Sequence, residues 1–342
     1  MSDKRIRVGL LAYGAIGDEH SNAIAACDHL EIAAICDTNP DRVQAGLKLS
    51  PTATAFSDAN LMLESKVIDL VVISTPPNSH YSWAKKALAL GIHVILEKPM
   101  ALNADECDEL MALAKSAGLT LVVYQNRRFD QDFLTIKNSI DNGDIGELFS
   151  YESFVGGYSK PCDFWHSDVK VSGGAIFDWG SHYIDQILAL IPNKVEFVSG
   201  LNQKRVWHHI TNADHAAVNI NFEGGIQATF INSDLSAARK PKFYILGTKG
   251  ALVGDWDTSG SGAVADLPAK ITLHTSDGNS KLLDPVTSPA FAFHKSVDDF
   301  LTNGTPMQIQ ATASRDVVAI MQAAEKSALE NGKPVTPILL RA

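Results

Sequence analysis

The sequence is poor in cysteine, in positive charge and in long apolar runs. The cysteines lack CxxC spacing, which argues against a metal site or a disulfide framework and favours free thiols in a reducing cytoplasm; they are Cys27, Cys36, Cys107 and Cys162. A net charge of -10 argues against a nucleic-acid partner, because binding to phosphates needs a basic surface. No apolar run approaches the ~18 residues that cross a bilayer. Arg7 interrupts the amino-terminal apolar stretch that a signal peptide would need.

What is present is enough apolar content for two cores. The chain has 342 residues and is 45% hydrophobic, and single cores seldom grow past ~250–300 residues. Apolar strand patterns alternate with helix patterns as far as residue 124, which indicates a doubly wound parallel sheet of the Rossmann type. Runs of strand patterns follow, typical of a largely antiparallel sheet. We predict an α/β chain with a dinucleotide-binding domain over residues 1–125 and an α+β substrate and oligomerisation domain with an open sheet over residues 126–342.

A degenerate phosphate-binding loop follows the first strand pattern. Its sequence, Ala12-Tyr-Gly-Ala-Ile-Gly17, has Ala where the G-x-G-x-x-G motif has its first Gly. Gly14 lets a pyrophosphate approach the backbone, and the helix start supplies N–H groups for the anion. Asp37 ends the next strand pattern, where an acidic residue bonds the ribose 2'-hydroxyl and repels a 2'-phosphate. Residues 38–40 supply no Arg, so we predict NAD over NADP; helix capping by Asp37 is an alternative that does not exclude this role.

Two further strand patterns end in polar residues. Ligands bind outside the carboxyl ends of parallel strands, so Lys98, directly after the run 92–96, is a candidate for contact with substrate or cofactor. A solvated lysine is the simpler alternative. Residues 74–80, Ser-Thr-Pro-Pro-Asn-Ser-His, follow another strand, and their two prolines fix an extended loop that could pack on the cofactor. The alternative is a plain strand-to-helix connection in which Asn78 or Ser79 caps the helix.

A carboxylate and an imidazole lie four residues apart in the second domain. Asp178 and His182 follow Gly173-Gly174, and on a helix this spacing places them on one face. Such a pair can move a proton near neutral pH; a capped helix with a satisfied histidine is the alternative. Trp165, His166 and Arg128 are weaker candidates for the substrate pocket, since an aromatic face can stack on a sugar ring, but ordinary packing explains them equally well.

Taken in order, these motifs resemble the Gfo/Idh/MocA oxidoreductases across both domains. The resemblance rests on the glycine loop, Asp37, residues 75–80, Glu97-Lys98-Pro99, Asn126-Arg127, Gly173-Gly174, Asp178 and His182. It implies a bound nicotinamide dinucleotide and a small polyhydroxylated substrate, with Lys98, Asp178 and His182 as catalytic residues. Together with the motifs above it assigns the cofactor to Tyr13, Gly14, Ala15, Ile16, Asp37, Ser74, Thr75, Pro76, Asn78, His80, Glu97, Lys98 and Gln125. With the weaker candidates named above, the predicted substrate-binding residues are Lys98, Arg128, Trp165, Asp178 and His182.

The resulting hypothesis is reversible oxidation of a sugar, cyclitol or polyol hydroxyl to a ketone or lactone. His182 would accept the hydroxyl proton, Lys98 would bond the same oxygen, and Asp178 would orient His182 or bond a neighbouring hydroxyl. Two alternatives remain open: an NAD-dependent glycosidase that oxidises and re-reduces its sugar within one turnover, and a sugar or dinucleotide sensor without catalysis. An open sheet face in the second domain favours a homodimer or homotetramer. The specificity loops do not reveal the substrate.

Overall fold

The computed structural model describes residues 5–258 and 267–341, so residues 1–4 of the amino-terminal stretch discussed above lie outside it. The strands are β1 (Ile6–Leu11), β2 (Leu30–Cys36), β3 (Thr54–Phe56), β4 (Leu70–Ile73), β5 (His93–Leu96), β6 (Leu121–Val123), β7 (Leu148–Gly156), β8 (Val195–Gln203), β9 (His215–Phe222), β10 (Ile226–Ser233), β11 (Phe243–Gly247), β12 (Gly250–Asp255), β13 (Lys270–Thr275) and β14 (Ser280–Leu282). The α-helices are α1 (Gly17–Ala25), α2 (Pro40–Leu49), α3 (Ala59–Glu64), α4 (His80–Ala89), α5 (Ala104–Ala117), α6 (Gln131–Asp141), α7 (Val169–Ser172), α8 (Trp179–Leu190), α9 (Ala292–Asn303) and α10 (Ala311–Leu329). Short 3-10 turns cover Pro77–Ser79, Asn126–Phe129 and Trp165–Ser167.

The chain divides into two compact units. The amino-terminal unit comprises residues 1–125 and 289–315, and the carboxyl-terminal unit comprises residues 126–288 and 316–342. The predicted domain limits differ from this division, because they placed residues 289–315 in the second domain. The cause is α9, which packs on α1 and buries Phe293, His294 and Val297. Within the described residues, no helix is both long enough and apolar enough to cross a membrane.

The amino-terminal unit is the predicted Rossmann domain. Its six strands are all parallel and lie in the order β3-β2-β1-β4-β5-β6. Every residue of β4 is buried, as expected for a strand covered by helices on both faces. The strand order reverses between β1 and β4, so the carboxyl ends of these neighbours flank the crevice where doubly wound sheets bind ligands.

The carboxyl-terminal unit is built on a mainly antiparallel sheet, as the sequence predicts. In the described part of this unit eight strands lie in the order β14-β13-β12-β11-β7-β10-β9-β8, and among them only the β7–β10 pair is parallel. Along β9 the buried residues alternate, Ala216, Val218, Ile220 and Phe222, which is typical of a sheet with one covered face. Helix α8 packs on β7 and β10, and its residues 180–187 are buried. The two-part fold class is therefore confirmed.

Candidate active site

The loop between β1 and α1 has the backbone that a phosphate site needs. Ala12 adopts the left-handed conformation, with φ 71°, at the position where the motif has its first Gly. A Cβ on Gly14 would meet nothing within 4 Å, so Gly14 leaves open space for a ligand's approach to the main chain. The N-cap of α1, Ile16, supplies no side-chain hydrogen bond. The loop therefore fits a dinucleotide pyrophosphate at the amino-terminal end of α1.

The ring of Tyr13 is buried beneath this loop. Its hydroxyl donates to Asp18 Oδ1 at 2.8 Å and lies 2.9 Å from Ser21 Oγ, and burial raises its pKa. A Cβ on Gly17 or Gly46 would come within 2.8 Å of the ring. Gly17 thus makes room for the ring, in addition to the close helix packing that the last Gly of this motif allows. Of the predicted contacts to the cofactor, the one from Tyr13 can come only from its main chain.

Asp37 lies at the end of β2 with its carboxylate already engaged. Oδ2 accepts from Tyr13 N and Oδ1 from Asn39 N, each at 2.8 Å, and the side chain is only 4% exposed. The carboxylate therefore anchors the phosphate loop to the start of α2, where Asn39 rather than Asp37 is the N-cap. Arg42 Nη1 lies 3.7 Å from Asp37 Oδ2. An arginine absent from residues 38–40 is thus supplied one helical turn later.

The residues after β4 form a loop held by His80. Its imidazole is buried, with Nε2 2.7 Å from Thr75 O and Nδ1 2.8 Å from Pro99 O, and burial lowers its pKa. Ser79 Oγ donates to Thr75 Oγ1. His80, predicted to bind cofactor, therefore also joins two loops, and its contact with cofactor stays a prediction. Ser74, Thr75, Pro76 and Asn78 are partly or fully exposed along this loop.

Lys98 follows β5 at the same edge. Glu97 Oε2 accepts from Lys98 N at 3.2 Å, and Glu97 Oε1 lies 3.0 Å from His20 Nε2. Lys98 is half-buried, whereas Gln125, just beyond β6, is buried. Since β4, β5 and β6 are parallel neighbours, their carboxyl ends bring residues 74–78, Glu97, Lys98 and Gln125 to one side of the sheet.

The carboxyl-terminal unit holds a small recess at the start of α8. His182 is buried in the second turn of this helix, and Asp178 is the residue before its first turn. The pair is therefore four apart in sequence, but Asp178 is an N-cap residue rather than part of the helix face. The recess is lined by Arg127, Asp130, Asp132, Trp179, His182, Tyr183, Gln186, Lys242 and Phe243.

Charged residues dominate one wall of this recess. Arg127 Nη1 lies 3.2 Å from Asp130 Oδ2, and the Arg127 guanidinium lies over the Trp179 ring at 5.2 Å. Burial raises the pKa of Asp130 to about 6, against the opposing charge of Arg127. Lys242 Nζ forms a buried ion pair with Asp132 Oδ2 at 2.7 Å. The recess therefore combines an imidazole with a carboxyl group that titrates near neutral pH.

Arg128 and Trp165, predicted for the substrate pocket, do not line this recess. Arg128 Nε and Nη2 donate to the buried Asp185 carboxylate at 2.5 and 2.8 Å, which ties the turn before α6 to α8. Trp165 is half-buried and stacks on the exposed His166, with ring centroids 3.6 Å apart. Asp185 therefore serves structure here.

Sequence reasoning missed several residues of these sites. Asp130, Gln186 and Lys242 line the recess but belong to no motif, and Arg127 entered only through the resemblance. A signal existed for Gln186, which lies one helical turn after His182 and donates from Nε2 to Arg127 O at 2.9 Å. Lys242 offers no such signal, because it lies directly before β11 and is far from α8 in the sequence.

Known proteins match both units. Residues 6–125 match the family described as "Oxidoreductase family, NAD-binding Rossmann fold", and residues 133–253 match the "GFO/IDH/MocA C-terminal domain". The scyllo-inositol 2-dehydrogenase (NADP(+)) IolW of Bacillus subtilis is 26% identical over 95% of this chain and 94% of its own. The uncharacterized oxidoreductase YdgJ of Escherichia coli is 33% identical over 74% of this chain and 72% of its own. A crystal structure of an NAD-binding protein from Listeria innocua superimposes with a TM-score of 0.86 at 27% identity, covering 98% of this chain and 97% of that one.

Proposed function

Since the chain belongs to the Gfo/Idh/MocA family of NAD(P)-dependent oxidoreductases, we propose that it oxidises a secondary or anomeric hydroxyl of a cyclitol, sugar or related polyol. The observation that carries the proposal is the buried His182 in a recess with charged walls. A proton acceptor in such a place suits removal of a hydroxyl proton. The name of the IolW relative, a scyllo-inositol dehydrogenase, supports the substrate class.

His182 is assigned the proton, and Lys98 and Asp178 are assigned supporting roles. His182 accepts the hydroxyl proton at a ring nitrogen, and Asp178, at the N-cap of the same helix, orients the imidazole or bonds a neighbouring hydroxyl. Lys98, at the ligand-binding edge of the Rossmann sheet, donates to the reacting oxygen and stabilises its developing negative charge. A bound nicotinamide would supply the acceptor for the hydride. These assignments rest on the position of each residue within its own unit and on the family motifs.

The dinucleotide is held by the loop of residues 12–17 and by Asp37. Gly14 gives the main chain open space for the pyrophosphate, and the Asp37 carboxylate accepts from the ribose 2'-hydroxyl in addition to its two backbone donors. We propose NAD as the preferred cofactor because this carboxylate repels a 2'-phosphate. Arg42 offsets part of that repulsion, and the NADP in the name of the IolW relative agrees with a site that tolerates both dinucleotides.

The test is a panel of cyclitols and sugars with NAD and NADP, read as reduced dinucleotide. The chain should reduce NAD with at least one of them, and His182→Ala should lower turnover by about 10²–10⁴ while dinucleotide binding is kept. His208→Ala replaces an exposed histidine that does not line the recess and serves as the matched control. Unchanged turnover in His182→Ala would refute the assignment.

The same panel separates the two alternatives. Cleavage of a glycoside without accumulation of reduced dinucleotide would identify a redox-cycling glycosidase. Binding of dinucleotide and sugar with no turnover would identify a sensor. The sensor outcome is not expected, because a sensor does not need a proton acceptor in a buried recess.

We also propose a homodimer or homotetramer that pairs the outward face of the eight-stranded sheet. Aligned neighbours on this face are Tyr244, Glu152, Thr229 and Asn219, none of them buried. Light scattering should give a mass above that of one chain, and Tyr244→Glu should lower it. A monomeric mass for the unchanged protein at all concentrations would contradict the proposal.

A further inference from the structure

Two buried histidines from distant parts of the sequence contact each other, and one of them also contacts Glu97. His20 Nδ1, from α1, lies 2.9 Å from His294 Nε2, from α9, and His20 Nε2 lies 3.0 Å from Glu97 Oε1. The His20 side chain is 1% exposed and His294 is 0% exposed. All three residues belong to the amino-terminal unit. The proposed mechanism uses neither histidine, although His20 contacts Glu97, the residue that precedes Lys98.

The hydrogen-bond pattern determines where the protons lie. The Glu97 carboxylate can only accept, so His20 carries a proton on Nε2 and, when neutral, accepts at Nδ1. His294 must then donate from Nε2, which leaves its Nδ1 without a proton. Among the described residues His294 Nδ1 has no hydrogen-bond partner, and a bare ring nitrogen tolerates such a position better than an N–H would. The set is therefore a directed chain from His294 through His20 to an ionised Glu97.

The surroundings of His294 oppose a positive charge on its ring. The rings of Tyr124 and Phe293 pack around it, with the Tyr124 ring centroid 4.7 Å from that of His20 and 5.1 Å from that of His294. The Tyr124 hydroxyl donates to Glu19 Oε1. Burial, and then the neighbouring His20, lower the pKa of His294 well below its usual value. Glu97 and Lys98 also influence His80 electrostatically, and α9 carries Lys295 next to His294 and Asp298 one helical turn further on.

We propose that His294 and His20 are positioning residues that fix the Glu97 carboxylate and, through its bond to Lys98 N, the main chain from which Lys98 reaches the substrate. The inference rests on the proposed function of Lys98. Glu97 Oε1 is held by His20, and Oε2 accepts from Lys98 N at 3.2 Å. The carboxylate thus links the histidine pair to the turn after β5. Misplacing a catalytic group by about 1 Å can cost about 10² in rate, so loss of this support should lower kcat.

The test compares His294→Leu with His294→Gln. Gln can present an amide N–H near the position of Nε2, whereas Leu fills the space without a donor. We expect kcat to fall by about 10- to 100-fold in His294→Leu, with Kd for NAD within about twofold of the unchanged protein, and to recover most of that loss in His294→Gln. His93→Gln, which replaces a half-buried histidine at the opposite end of β5, is the matched control and should leave kcat unchanged.

A second measurement requires no turnover. Nitrogen NMR of the ¹⁵N-labelled histidine rings in the unliganded protein should show His20 protonated at Nε2 and His294 protonated at Nε2 alone, with His294 remaining neutral to a lower pH than an ordinary histidine. Protonation of His294 at Nδ1, or equal kcat in the Leu variant and the unchanged protein, would refute the positioning role of the two histidines. So would a loss that is the same in the Gln and Leu variants or is confined to NAD affinity. If no polyol is oxidised at all, the proposed function fails. The ring tautomers then still decide whether the hydrogen-bonded chain from His294 through His20 to Glu97 exists.

Discussion

Replacing Asp37 should destabilise the phosphate loop rather than simply exchange NAD for NADP. In Rossmann proteins an acidic residue at this position bonds the ribose 2'-hydroxyl of NAD. Here its carboxylate also accepts hydrogen bonds from Tyr13 N and Asn39 N, both at 2.8 Å, on a side chain only 4% exposed. Asp37→Ala removes both bonds and leaves the buried N–H of Tyr13 without its acceptor. Asp37→Asn keeps one acceptor oxygen and turns an NH₂ group toward the other donor.

The magnitude follows from the two bonds. A hydrogen bond to a charged group contributes about 1.5–3 kcal/mol, and a buried donor left unsatisfied costs about 1–3 kcal/mol. Because the bond to Asn39 is only partly buried, we expect Asp37→Ala to lower the free energy of unfolding of the amino-terminal unit by about 3 kcal/mol. Asp37→Asn should fall between Asp37→Ala and the unchanged protein. NAD affinity should decline in both variants without a matching gain in NADP affinity.

The stability assay is urea unfolding of the unliganded protein, with hydrogen exchange of the amides in β1 and β2 as the local readout. Binding isotherms for both dinucleotides measure their affinities. Asp41→Ala, which replaces an exposed carboxylate in the first turn of α2, is the control and should stay within about 0.5 kcal/mol. If Asp37→Ala is as stable as Asp41→Ala and simply prefers NADP, the anchoring role of this carboxylate is refuted.

Three further predictions concern other parts of the chain. Arg42→Ala should lower kcat/KM with NADP by about tenfold, the effect of ~1.4 kcal/mol, and leave kcat/KM with NAD within about twofold. Equal losses with NAD and NADP in steady-state kinetics would contradict the role of this guanidinium toward the 2'-phosphate. Arg341→Ala should cost about 1–3 kcal/mol in urea unfolding, because the guanidinium donates to Leu188 O and Ile191 O at the carboxyl end of α8; a smaller loss than in an exposed control would count against it. Stability should decline as pH falls below about 6.5, since burial lowers the folded-state pKa of His294 and only the unfolded chain takes up the proton. In denaturation across pH 5–8, His294→Gln should remove up to about 1.4 kcal/mol per pH unit of that slope, and an unchanged slope would refute this.

The sequence was sufficient for the architecture because periodicity reports which residues a strand or helix buries. The apolar runs at β1, β4 and β5 predicted a parallel sheet. The strand order then placed Lys98 and Gln125 just beyond the carboxyl ends of two neighbouring strands. Periodicity does not report where a later helix returns. No helix was predicted over residues 292–303, and the predicted limits counted these residues with the second domain. The structure places α9 in the amino-terminal unit, and His294 was not among the candidate residues.

Side-chain destinations were the least predictable feature. Tyr13 belongs to the glycine loop, yet its ring turns inward because Gly17 and Gly46 leave space for it. The preference for NAD was argued from the lack of an arginine beside Asp37, but one turn of α2 brings Arg42 to 3.7 Å. Such proximity depends on how helices lie against strands, which neighbouring residues in a sequence do not specify.

The origin of the hydride tests the central claim most directly. The best substrate from the polyol panel, carrying deuterium at the carbinol carbon, is incubated with the protein and NAD, and the reduced dinucleotide is examined by mass spectrometry. We predict that the deuterium appears on the nicotinamide of the reduced dinucleotide in proportion to oxidised product, and that His182→Ala slows its appearance. Reduced dinucleotide without deuterium, or product released with no net reduction of NAD, would contradict the account.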